Sequence, residues 1–151
     1  DQRALPFHFA IVSLPTYRDT AEAIRDMTVR GAGAIGVAAG YAMAQAALEA
    51  PEASARAYIE EAARTIRRTR PTAHDLFYAV EQMEAVIRST GDMAQAAVRR
   101  ATELADENAR AGEQIGPAAR AVRHFIDRVV VAIAVREAVA QRAGRCAELV
   151  I

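Results

Sequence analysis

A mainly α-helical domain, of about five to six helices behind a short amino-terminal β segment, is the fold this sequence predicts. Three observations carry that expectation. Apolar residues recur at three- and four-residue steps through most of the chain, proline and glycine interrupt the pattern between those stretches, and a single segment alternates as a strand does.

The alternating segment runs from Leu5 to Leu14, with Phe7, Phe9, Ile11 and Val12 between Pro6 and Pro15. Asp19 or Thr20 can then cap a first helix to about Thr28, with Ala21, Ile24 and Met27 or Thr28 on one face. A second helix is expected from about Ala34 to Ala50. Its small residues, among them Ala38, Gly40, Ala42 and Ala46, cover nearly the whole circumference, so it should be central, with neighbours on several sides. Pro51 stops it. Ser54 opens a third helix to about Arg68, with Tyr58 or Ile59, Ala62 and Ile66 inward and Glu60, Glu61, Arg64, Arg67 and Arg68 as a solvated face. A fourth, from about Ala73 to Ser89, sets Leu76, Val80, Met83 and Ile87 on one stripe and ends before Gly91.

A fifth helix, from about Met93 to Ile115, aligns Ala97, Ala101, Leu104, Ala111 and Ile115. Asn108 falls on the same stripe. A buried amide without partners costs about 1–3 kcal/mol, so Asn108 reads as either a satisfied structural hydrogen-bonder or a site residue. After Gly116 and Pro117, residues 118–142 fit a helical stripe, although Val129 to Val135 is also a β-branched run that suits a buried strand.

With 151 residues and a hydrophobic fraction of 52%, the chain is long enough for one domain with its own core. Nineteen basic residues against 19 acidic ones give a net charge of zero, which argues against nucleic acid or a membrane surface as a partner held by bulk charge. No apolar run approaches the length of a membrane span, so a soluble protein is expected. Cys146 is the single cysteine and cannot form an internal disulfide. His8, His74 and His124 are too widely spaced for a ligand pattern, so neither a metal nor another cofactor is expected. No secretory leader is recognisable, and the default location is the cytoplasm. The first residue, Asp1 rather than Met, points to a natural start upstream.

Chemistry concentrates at two loops. In Val29-Arg30-Gly31-Ala32-Gly33, glycines let the backbone turn sharply at a helix start, where unpaired N–H groups and the permanent charge of Arg30 favour an anion. In Thr69-Arg70-Pro71-Thr72-Ala73, a second arginine precedes another helix start. The candidate binding residues are Arg30, Gly31, Ala32 and Arg70, and no catalytic residue is assigned.

Four segments in order resemble the amino-terminal domain of methylthioribose-1-phosphate isomerases, a family that includes ribose-1,5-bisphosphate isomerases and regulatory subunits of eukaryotic initiation factor 2B. They are Asp1-Gln2-Arg3-Ala4-Leu5-Pro6, Thr28 to Gly36, Thr69 to Ala73 followed by Leu76 to Val80, and Glu107-Asn108-Ala109-Arg110-Ala111-Gly112 through Gly116. The resemblance covers residues 1–116, leaving 117–151 as a divergent tail expected to be helical and to pack on the same domain. It implies that Arg30, with the backbone of Gly31 and Ala32, and Arg70 hold the phosphate and sugar oxygens of an aldose 1-phosphate. It also implies an aldose–ketose isomerisation within methionine salvage, without metal or nucleotide.

In that family a cysteine and an aspartate from a Rossmann-like second domain do the chemistry, and no such domain is expected in this chain. Cys146, beside Arg145, does not match the family's cysteine segment. Gly33 stands where proline is commoner, and His74 and Asp75 where an apolar residue and an asparagine are usual; the pair reads as a surface pair or as a change in the sugar contacts. Three functions follow as expectations: a phosphate-binding domain inactive by itself, a non-catalytic interaction module, or a remnant whose apolar surface a lost domain once covered. A homo-oligomer or a partner chain supplying the catalytic domain fits the first.

Overall fold

The computed structural model describes residues 1–114, so the expectations for 117–151, including His124, the Val129 to Val135 run and Cys146, lie outside the described residues. Five α-helices follow in order: α1 (Tyr17–Arg25), α2 (Ala32–Glu49), α3 (Ala55–Thr69), α4 (His74–Arg88) and α5 (Met93–Gln114), with a 3₁₀ turn (Glu52–Ser54) before α3.

Helix α2 is the axis. Residues 34–48 are all buried, and α1, α3, α4 and α5 all pack against it. Alanine and glycine make this possible, because a helix without long side chains lets neighbours approach on every side and loses little side-chain entropy doing so. The other helices are one-sided: Leu76, Val80, Met83 and Ile87 of α4 and Ile59, Ala62 and Ile66 of α3 are buried as their spacing predicts. On α5, Ala97, Ala101 and Leu104 are buried, but Ala111 is exposed and Ala109 takes the inward position near the helix end.

The expected amino-terminal strand is corrected. Residues 5–14 carry no strand, and none occurs among the described residues. Phe7 is 95% exposed and Ile11 70%, so the alternation faces no core. A strand needs a second strand to satisfy its N–H and C=O groups, and the neighbour in sequence is a helix. Only Leu14 at the end of the segment is buried; its carbonyl accepts a hydrogen bond from Gln45 Nε2 at 2.6 Å.

The start of α1 is corrected too. Its cap is Thr16, three residues ahead of Asp19: the Thr16 hydroxyl accepts from the Asp19 N–H at 3.2 Å, and the Asp19 carboxylate accepts from the Thr16 N–H at 3.0 Å. This reciprocal pairing satisfies two donors at once. Thr20 is buried instead and donates to Gln45 Oε1 at 2.8 Å. Arg67, expected on a solvated face, is half-buried and bonds both oxygens of Glu84 at 3.1 Å each.

Candidate phosphate-binding site

The first loop links α1 to α2. Asp26 closes α1, and its carboxylate accepts from the Thr28 N–H at 2.9 Å. Met27 then turns with φ of +68°, the only non-glycine residue with positive φ among those described. Such backbone persists in a long side chain only where its surroundings hold it. Val29, 2% exposed, anchors the loop by donating its N–H to the Ala23 carbonyl at 3.0 Å. Gly31 has φ of +93°, and a Cβ there would meet nothing within 4 Å, so conformation rather than space calls for glycine.

Gly31 is also the N-cap of α2. No side chain among the described residues caps this helix, and its first turn holds no acidic residue. The N–H groups that open the helix are therefore left to water or a ligand, at the positive end of an 18-residue dipole.

The second loop links α3 to α4. Arg70 ends α3, and the Ala73 N–H donates to its carbonyl at 3.0 Å, closing a turn through Pro71 and Thr72 that delivers α4 at His74. The two arginines of the separate loops meet on Met27. Arg30 Nε donates to the Met27 carbonyl at 3.2 Å, and Arg70 Nη1 donates to the Met27 sulfur.

Charge pairing sets Arg70 apart. Three arginines among the described residues are half-buried: Arg67, Arg70 and Arg100. Arg67 bonds Glu84, and Arg100 bonds Glu103 at 3.1 Å and Glu107 at 2.8 Å. Among the described residues Arg70 has only a thioether, a weak acceptor that does not compensate its charge. Arg30 is exposed, and it too has no carboxylate partner among the described residues.

Met27 is the residue that sequence reasoning missed. The spacing places it on the inner face of α1, whereas the helix ends at Arg25 and Met27 lies between the two guanidinium groups. Asp26 followed by Thr28 is a turn signal that marks the helix end, but nothing in a methionine marks its conformation. His74 and Asp75 form a surface pair, with Nδ1 and Oδ1 3.5 Å apart and the His74 side chain 91% exposed.

A groove of about 260 Å³ opens beside the first two turns of α2, walled by α4 and α5. Gly33, Gly36, Asp75, Tyr78, Glu107 and Asn108 line it. Asn108 does not behave as a satisfied structural amide: it is half-buried, and no protein group bonds its side chain among the described residues. Since those residues include no fully buried polar side-chain atom without a partner, the carboxamide is open to the groove. Among the described residues no helix is long and apolar enough to cross a membrane.

The family model described as the initiation factor 2 subunit family matches residues 28–142, a span that includes both arginine loops and the groove. The chain belongs to that family. It is 41% identical over 118 residues to the methylthioribose-1-phosphate isomerase of Brucella anthropi, covering 77% of this chain and 32% of that protein. The isomerase of the same name from Methylorubrum populi is 42% identical over 118 residues, with the same coverage of both chains. That of Gloeobacter violaceus is 44% identical over 88 residues, 58% of this chain and 25% of its own. This chain thus spans about a third of the length of the curated relatives it matches. No solved structure matches it.

Proposed function

We propose that this chain is the amino-terminal, phosphate-binding part of a methylthioribose-1-phosphate isomerase-like protein, serving aldose–ketose isomerisation of a sugar phosphate in methionine salvage. The observation that carries the reading is Arg70: a half-buried cation with no carboxylate among the described residues, held against Met27, which Arg30, the residue before the N-cap of α2, also bonds. A phosphate dianion answers all three needs. It accepts forked hydrogen bonds from the guanidinium groups, accepts from the N–H groups of Gly31 and Ala32, and gains from the helix dipole. The Met27 thioether yields readily to it, because a neutral sulfur is the weaker acceptor.

Such a clamp orients the sugar but transfers no proton between its carbons. The acid and base of the isomerisation lie outside the described residues, so residues 1–116 bind and do not turn over. The supporting comparison is the name methylthioribose-1-phosphate isomerase carried by the relatives, together with the family match over residues 28–142, which includes both arginine loops.

Calorimetric titration of the full chain with inorganic phosphate and with methylthioribose 1-phosphate tests the clamp, alongside an isomerase assay. Removing one charge-assisted contact lowers affinity by roughly 10- to 100-fold, so Arg30→Ala and Arg70→Ala should each do so. Binding unchanged in both variants removes the clamp, and turnover by the chain alone removes the division of labour. A second reading, a non-catalytic interaction module, is favoured by one observation: Phe7, Phe9, Ile11 and Val12 form an exposed apolar stretch. Concentration-dependent light scattering that disappears in Phe7→Ser, together with no phosphate binding, would support it.

A further inference from the structure

The groove between α2, α4 and α5 begins at the first turns of the two helices that the arginine loops deliver. Gly33 follows Gly31 by roughly 3 Å along the helix axis, and Asp75 lies in the first turn of the helix that the Arg70 loop delivers. We propose that this groove is a subsite for the uncharged, hydroxyl-bearing body of a phosphorylated ligand, and that Asn108 is its specificity-determining contact.

Four features carry the inference. A Cβ at Gly33 would fall inside the Asn108 carboxamide, so the missing side chain at Gly33 is what lets Asn108 reach the first turn of α2. That carboxamide offers two donors and an acceptor, and no protein group among the described residues takes them. The groove walls combine apolar surface at Val37 and Ala79 with polar edges at Asp75, Tyr78 and Asn108, which matches the C–H faces and hydroxyl edges of a sugar. Among the described residues no cation lines the groove, while Asp75 and Glu107 contribute carboxylates. A phosphate is therefore directed away from the groove to the arginine loops, and the neutral part of the ligand faces Asn108.

This subsite rests on the phosphate-clamp reading for its placement, and the test separates the two. The full chain, Asn108→Ala, Gly33→Ala and Arg30→Ala are titrated with inorganic phosphate, ribose 1-phosphate and free ribose, while the Asn108 side-chain NH₂ resonance is followed by NMR in the two proteins that retain it unobstructed. Asn108→Ala is expected to weaken ribose 1-phosphate about 5- to 10-fold and inorganic phosphate less than 2-fold. Gly33→Ala, whose methyl displaces the carboxamide, should reproduce that pattern, and Arg30→Ala should weaken both phosphates. Ribose 1-phosphate, but not inorganic phosphate, should shift the Asn108 NH₂ signal. Equal weakening of both phosphates in Asn108→Ala, or no weakening of either, overturns the subsite and leaves the clamp standing. Ribose shifting the Asn108 signal when neither phosphate depends on Arg30 leaves the subsite standing and removes the clamp. No binding of any probe removes both.

Discussion

Replacing Gly36 with alanine tests whether α2 and α4 meet backbone to backbone beside the groove. The added methyl would stand 2.9 Å from the Asp75 carbonyl oxygen and 3.1 Å from Asp75 Cβ, both inside ordinary van der Waals contact. Neither atom can rotate away, because both belong to the first turn of α4. Alanine is the better helix former by about 1 kcal/mol, while overpacking of this kind costs about 1–3 kcal/mol. With backbone forced to move, the overlap falls in the upper part of that range, about 2–3 kcal/mol, and the net loss should be about 1–2 kcal/mol. For a domain of this size that lowers Tm by roughly 3–8 °C.

Gly40→Ala is the internal control. Its methyl would meet Leu104 Cδ1 at 3.2 Å and Ala101 Cα at 3.9 Å, and a leucine tip can turn aside. There helix propensity prevails, and stability should hold or rise by up to about 1 kcal/mol. Urea unfolding followed by circular dichroism at neutral pH measures both variants. If Gly36→Ala is as stable as the parent, or if the two variants rank in the opposite order, the close approach of α4 to α2 is refuted.

Other outcomes are expected elsewhere in the fold. The two hydrogen bonds from Arg67 hold the Glu84 carboxyl below its ordinary value of 4.5, against the opposing effect of burial. That stabilisation is complete above about pH 4.5 and is lost as pH falls through the lower folded value, so Glu84→Gln should cost about 1 kcal/mol near neutrality and almost nothing near pH 2 in a pH series of urea melts. Thr20→Val leaves Gln45 Oε1 without its 2.8 Å donor inside the core and should destabilise by about 1–3 kcal/mol, read from the same melts. Phe7→Ser should change stability by less than about 0.5 kcal/mol, because the ring is 95% exposed; a loss above about 1 kcal/mol would show that the amino-terminal segment packs.

The helices were legible because their signals are local. A stripe such as Leu76, Val80, Met83 and Ile87, or a breaker such as Pro51, acts within a few turns of the chain. The same local reasoning misled at residues 5–14, where alternation satisfies the side-chain rule for a strand but supplies no second strand to pair with. It also placed the α1 cap at Asp19 or Thr20, since a short acidic or hydroxyl residue suits a cap as well as Asp19 suits the third position of a capping box. At the candidate site, the glycine at positive φ and the arginine beside it were readable from Val29 to Gly33, while the partners of those groups were not.

By itself the sequence determined that this is a helical protein, that a small-residue helix forms its centre and that two arginines stand at loop-to-helix junctions. Each follows from residue type and spacing over short distances. Only the tertiary structure decided that Arg30 and Arg70 converge on Met27, 43 residues from Arg70, and that the Asn108 amide lies in the space left by Gly33. Those meetings depend on how closely α4 and α5 cross α2, a distance set by the absent side chains at Gly33 and Gly36 rather than by any pattern along one helix.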